Sequence, residues 1–117
     1  MLQIQPAREA DVAQILRFIR ELARYERLEH EVIATEADLR AALFGERPFA
    51  EALLARLDGA PAGFALFFHN FSTFTGRPGL YLEDLYVTPP ARGRGIGRQL
   101  LRHLATVAIE RRCARVD

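Results

Sequence analysis

Leu80-Tyr81-Leu82-Glu83-Asp84-Leu85-Tyr86-Val87, followed after Thr88-Pro89-Pro90-Ala91 by Arg92-Gly93-Arg94-Gly95-Ile96-Gly97, is the stretch that decides the fold. The first eight residues are apolar at both parities, which marks a strand covered on both sides and central in its sheet. Strand alternation places Leu80, Leu82, Asp84 and Tyr86 on one face and Tyr81, Glu83, Leu85 and Val87 on the other. Thr88-Pro89-Pro90 ends the strand, because neither proline can donate to a ladder. Three alternating glycines then let the backbone turn tightly enough for several N–H groups to aim at one anion. The helix that follows carries the stripe Ile96, Leu100, Leu101, Leu104, Val107 and Ala108. It adds unpaired N-terminal donors and a positive dipole end, worth roughly 0.3 to 2 kcal/mol per charge. Arg92, Arg94 and Arg98 supply formal charge for a diphosphate. The plainer alternative is an ordinary tight strand-to-helix turn. The spacing is R-x-x-G-x-G, late in the chain, and not the dinucleotide G-x-G-x-x-G that opens a first βαβ unit.

Glu83 and Asp84 sit inside the apolar strand. A carboxylate there costs several kcal/mol unless it is paired or opens into a cleft. One of the 16 arginines is a possible partner. The position of both acids near the strand end that leads to the glycine loop favours the cleft.

Upstream, Leu2 to Gln5 reads as a short strand. Asp11, with Gln14 three residues on, caps a helix whose core face is Val12, Ile15, Leu16, Ile19, Leu22 and Ala23. Arg17, Arg20, Glu21 and Arg24 take its outer face. Tyr25, Glu26, Glu29 and Glu31 form an acidic loop, either a solvated turn or a cation-binding rim. Thr35 caps a second helix with Leu39, Ala42 and Leu43, and Gly45 ends it. Glu51 to Leu57 and about Ala62 to Phe71 are strands joined by the hairpin turn Asp58-Gly59. Gly63 marks a bulge or a close backbone approach, His69-Asn70 a strand end, and Ser72 to Gly79 a loop. Arg115-Val116-Asp117 begins a further strand. The order is β-α-α-β-β-β-α.

With 117 residues, half of them hydrophobic and 26% charged, the composition fits one globular domain. No apolar run approaches the ~18 residues of a spanning helix, and Leu2 to Gln5 is no signal-peptide core, so neither a membrane anchor nor a leader is expected. The single Cys113 fits a reducing cytoplasm. A net charge of +1 does not advertise nucleic-acid binding. All 16 basic residues are arginine, which excludes lysine Schiff-base chemistry. One cysteine and the scattered His30, His69 and His103 give no metal-ligand spacing, so no metal is expected.

The strand, the R-x-x-G-x-G loop and the helix resemble motif A of the GNAT superfamily of acetyl-CoA-dependent N-acetyltransferases. Ile19-Arg20-Glu21-Leu22-Ala23-Arg24-Tyr25-Glu26, Thr35-Glu36-Ala37-Asp38-Leu39, Phe44-Gly45-Glu46-Arg47-Pro48-Phe49 and the strand Leu80 to Val87 are similar to the diamine (spermidine/spermine) and thialysine acetyltransferase branch. The resemblance runs from Ile4 to Cys113. It implies an α/β (α+β) fold with a mixed, mostly antiparallel sheet flanked by helices. It implies acetyl-CoA as co-substrate beside Leu85, Tyr86 and Val87, its pantetheine amides bonding the strand like an added one. The pyrophosphate would rest on the amides of Gly93, Arg94, Gly95, Ile96, Gly97 and Arg98. Positions matching Tyr25, Glu26, Glu83 and Asp84 face a small-molecule amine in this branch. Glu83, directly or through a water, is then the general-base candidate, and N–H groups near Leu85 are placed to polarise the thioester carbonyl.

Members of the branch are commonly dimeric, so a homodimer is expected. The family fold continues past the position of Asp117 with a splayed strand and a helix whose tyrosine is the usual acid for the CoA thiolate. The expectation is therefore a single GNAT-like domain over 1–117 lacking the C-terminal strands, with Tyr81 and Tyr86 the only tyrosines near the cleft. A non-catalytic acyl-CoA-binding module is the competing reading. An RNA-binding module using Arg92, Arg94, Arg98 and Arg102 is a third, disfavoured because no aromatic stacking set accompanies those arginines.

Overall fold

The computed structural model describes all of residues 1–117. Its elements run β1 (Leu2–Pro6), α1 (Val12–Tyr25), α2 (Glu36–Phe44), β2 (Glu51–Leu57), β3 (Ala60–Ser72), β4 (Arg77–Val87) and α3 (Ile96–Glu110), with single 3-10 turns at Glu9–Asp11, Glu29–Glu31 and Pro89–Ala91. This is the order expected from the sequence. The four strands form one sheet in chain order, each antiparallel to the next. Residues 114–117 add a short parallel stretch beside β4: Leu80 and Leu82 donate to Arg115 and Asp117 carbonyls at 2.9 and 2.8 Å, and Asp117 donates back to Leu80 at 2.8 Å. No helix is long and apolar enough to cross a membrane.

Two apolar cores sandwich the sheet. Val12, Ile15, Phe18, Leu39, Phe64 and Tyr86 belong to the core under α1 and α2. Leu53, Phe67, Leu80, Ile96, Leu100 and Leu104 belong to the one under α3. Local chemistry sets the ends of the elements. Asp58 (φ 52°) and Gly59 (φ 86°) make the tight turn between β2 and β3 that two left-handed residues favour. At the start of α2, Thr35 Oγ1 accepts the Asp38 N–H at 3.1 Å while the Asp38 carboxylate accepts the Thr35 N–H at 2.9 Å, a reciprocal capping box.

Several expectations are corrected. Asp11 does not cap α1. It is buried, accepts the Arg8 N–H at 2.8 Å and pairs with Arg56 at 2.7 Å. A buried carboxylate needs a strong partner more than a helix end needs a cap, and Arg56 lies too far along the chain for the sequence to reveal it. Phe18, absent from the expected stripe, is among the largest fully buried side chains, whereas Leu101 is 47% exposed. His69 and Asn70 lie within β3, paired with Leu80 and Gly79, rather than at its end. The β4 strand pairs with β3 along one edge and, at Leu80 and Leu82, with residues 114–117 along the other. Apolarity at both parities reports that α1 and α3 cover its two faces; it says nothing about its edges.

Candidate active site

The β4 strand changes phase at Glu83. Leu66 opposes Asp84 and Phe67 opposes Leu82, so Glu83 is an extra residue with no partner on β3. One inserted residue is a β-bulge, a device that re-aims side chains. It overturns the simple alternation: Leu80, Leu82, Leu85 and Val87 all pack toward α3, while Tyr86 packs toward α1 and α2. Leu82 and Leu85, three apart, share a face only because of that insertion. By the same shift, Asp84 lies on the α1–α2 side with Tyr86, and Glu83 is exposed beside it.

The bulge gathers the predicted carboxylates. Burial, reinforced by the charges of Glu83 and Glu26, pushes the Asp84 carboxyl above its ordinary value. Glu26 follows directly on α1, so acids from two distant segments converge at one place. Tyr25, the last residue of α1, is 72% exposed there. A raised carboxyl binds its proton more readily in the folded protein than in the unfolded chain, so ionised Asp84 lowers stability as pH rises through that interval. Asp84→Asn is expected to raise the melting temperature at pH 7, and the gain should shrink as pH falls into the carboxylate range. Thermal melts at pH 7 and pH 4 check this; equal gains at both would disprove it.

Beyond Leu82 the outer edge of β4 pairs with none of residues 1–117. Thr88 donates to the Ala62 carbonyl at 2.9 Å. Because antiparallel partners alternate between bonded and non-bonded pairs, Tyr86 and Asp84 turn their backbone groups toward β3. Leu85 and Val87 turn theirs outward, past the reach of residues 114–117. Gly63 makes this pairing possible: a Cβ there would lie 2.5 Å from the Tyr86 carbonyl oxygen. Both features that the sequence allowed at this glycine occur, since the β2–β3 register also shifts beside it.

That outer edge runs into the glycine loop. Gly93 (φ 82°) and Gly95 (φ 77°) are left-handed. Gly95 is the N-cap of α3, which has no side-chain cap and no acid in its first turn. Gln99 is the first residue to close a helical bond, onto the Gly95 carbonyl at 3.0 Å, so the N–H groups of Ile96, Gly97 and Arg98 have no helical acceptor. Arg98 is exposed beside them. Arg94 instead lines a groove with Glu21, Pro61, Thr88 and Pro89.

Two residues have partners that the sequence did not reveal. Arg92, expected to add charge for a diphosphate, donates through Nε to the Val87 carbonyl at 3.0 Å. Its guanidinium lies 5.3 Å from the Tyr25 ring centroid and 5.8 Å from that of Tyr86. Tyr86 is buried, and its hydroxyl donates to Glu21 at 3.1 Å. Burial and that hydrogen bond push the phenol up. Its proton is committed to α1 rather than to the outer edge of β4. Tyr81 is tilted against Phe68 with ring centroids 4.9 Å apart. Glu21, which helical periodicity assigns to the outer face of α1, is half-buried against Tyr86, a partner 65 positions away that no local pattern shows.

Comparison with known proteins agrees with this architecture. Residues 12–117 match the Acetyltransferase (GNAT) family. Thialysine N-epsilon-acetyltransferase of Mus musculus is 43% identical over 120 residues, spanning 96% of this chain and 70% of that one. Spermidine/spermine N(1)-acetyltransferase-like protein 1 of Homo sapiens is 36% identical over 118 residues, 95% of this chain and 17% of the other. Among solved structures, the ribosomal-protein-alanine N-acetyltransferase of Brucella melitensis biovar Abortus 2308 superposes with a TM-score of 0.79 at 25% identity, covering 99% of this chain and 77% of that one. The chain belongs to the GNAT acetyltransferase family. It is an N-acetyltransferase, moving an acetyl group to an amine.

Proposed function

We propose that the protein acetylates a primary amine of a small polyamine or amino-acid-like substrate, with acetyl-CoA as donor. The convergence of Glu26, Glu83 and Asp84 beside the outer edge of β4 carries this reading. Three carboxylates at one place suit a substrate that brings more than one positive charge, and the thialysine and spermidine/spermine relatives bear names of that chemical kind.

Acetyl-CoA supplies an activated acetyl thioester. The outward groups of Leu85 and Val87 suit a ligand that binds as an added strand, and the Leu85 N–H is available to a thioester carbonyl oxygen. The free N–H groups of Ile96, Gly97 and Arg98, with the loop from Gly93 to Gly95, suit its pyrophosphate. The amine must reach its neutral form before it can attack. With a pKa of about 10.4 it is neutral in roughly one molecule per few thousand at pH 7, a cost of about 4 to 5 kcal/mol. Glu83, exposed at the bulge, takes that proton directly or through a water. Asp84 and Glu26 hold the substrate's distal charge, and Tyr25 walls the same side.

The test is a thiol-release assay with acetyl-CoA and a panel of thialysine, spermidine and single-charge alkylamines. Amines with a second positive charge should be acetylated with the highest kcat/KM. Equal rates across the panel would remove the carboxylate reading.

A further inference from the structure

Arg92 stands between the two halves of the proposed site and belongs to neither. It opens the glycine loop, yet its side chain turns back to the Val87 carbonyl and lies between the rings of Tyr25 and Tyr86. Tyr86 tilts against Phe18 with centroids 5.6 Å apart, and Phe18 stacks on Phe64 at 5.8 Å. A column of rings thus rises from the core, passes through a guanidinium and ends on Tyr25. The planar, weakly hydrated guanidinium suits such a place, whereas a lysine ammonium does not. The hydrogen bond between Tyr86 and Glu21 ties α1 to β4 one turn earlier; Arg92 ties its last residue. Directly beyond, Arg27 adopts φ 60° and the chain turns away, so Tyr25, the last residue of α1, and Glu26, which caps it, are the final residues of that helix end beside β4.

We propose that Arg92 is a positioning residue for amine acetylation: it seats Tyr25 and Glu26 beside Glu83 and Asp84 while occupying the Val87 carbonyl. The outward N–H groups of Leu85 and Val87 are left to the acyl donor. The cradle and the amine subsite are then one assembly, joined by a single side chain. This inference rests on the functional reading given above for what the two halves bind.

The experiment uses Arg92→Lys, Arg92→Met, Tyr25→Leu and the double variant Arg92→Met/Tyr25→Leu. Both Arg92 variants should raise KM for the amine about tenfold, with kcat changed less and acetyl-CoA Kd within threefold of the parent. Tyr25→Leu should match them, and the double variant should be no worse than the worse single. Amide hydrogen exchange gives a readout independent of turnover: Glu26 and Leu28 N–H groups should exchange several-fold faster in both Arg92 variants. If the parent protein fails to acetylate amines, the functional reading falls while the exchange still tests the tie. A rise in acetyl-CoA Kd for Arg92→Met, restored by Arg92→Lys, with amine KM unmoved, would make Arg92 a diphosphate contact and overturn the proposal. So would unchanged exchange at Glu26 and Leu28, or additive effects in the double variant.

Discussion

Glu83→Gln should lower kcat about 100- to 10,000-fold at pH 7, the range over which a positioned base contributes, while acetyl-CoA affinity stays near that of the parent. Glutamine keeps the shape and polarity of the side chain and loses only its ability to take a proton. Glu83 is exposed and outside both cores, so folding should not suffer. The pH profile is the sharper readout. Each unit of pH raises the neutral fraction of the amine tenfold until its own pKa is reached. The variant should therefore recover toward high pH, whereas the parent, with its base in place, should depend on pH less steeply. A rate at pH 7 equal to that of the parent would exclude Glu83 as the base.

Gly95→Val should weaken acetyl-CoA binding by at least about 100-fold, roughly 2.7 kcal/mol, as read by calorimetry. Space is not the obstacle, because a Cβ at this position meets nothing within 4 Å. The backbone is. At φ 77° a β-branched residue is a steric outlier, and relieving it would rotate the peptide planes that aim the first N–H groups of α3. Any Cβ here also projects where the anion must approach. The fold should persist, since Gly95 is exposed and packs in neither core. A dissociation constant equal to that of the parent would remove the loop as a phosphate cradle.

Periodicity and turn chemistry were enough to give the element order, the hairpin at Asp58-Gly59 and the cap at Thr35, because each is decided by residues within a few positions of one another. The glycine loop was legible for the same reason. What escaped depends on partners far apart in sequence. Arg56 captures Asp11 across 45 positions and Tyr86 captures Glu21 across 65, and no local pattern announces either. Arg92 looked like one more positive charge near an anion site, because nothing in the sequence shows that Tyr25 ends beside it. The grouping of Glu26 with Glu83 and Asp84 came from family resemblance; composition and spacing alone left Glu26 in an acidic loop. The face assignments on β4 failed at one point only. An inserted residue has no compositional signature when the strand around it is apolar at both parities.

That insertion separates two kinds of constraint at position 83. Its side chain packs in neither core, so the fold is indifferent to which amino acid stands there. The fold is not indifferent to the register. Leu82 and Asp84 oppose Phe67 and Leu66, consecutive residues of β3, so Leu85, Tyr86 and Val87 hold their faces only while Glu83 stays out of the ladder. Were Glu83 to pair with Leu66, every side chain from Asp84 to Val87 would change face, sending Leu85 and Val87 toward α1 and Tyr86 toward α3. Substitution at this site is therefore a question for the chemistry of proton transfer, and its exclusion from the ladder a question for the whole molecule, although both concern the same residue.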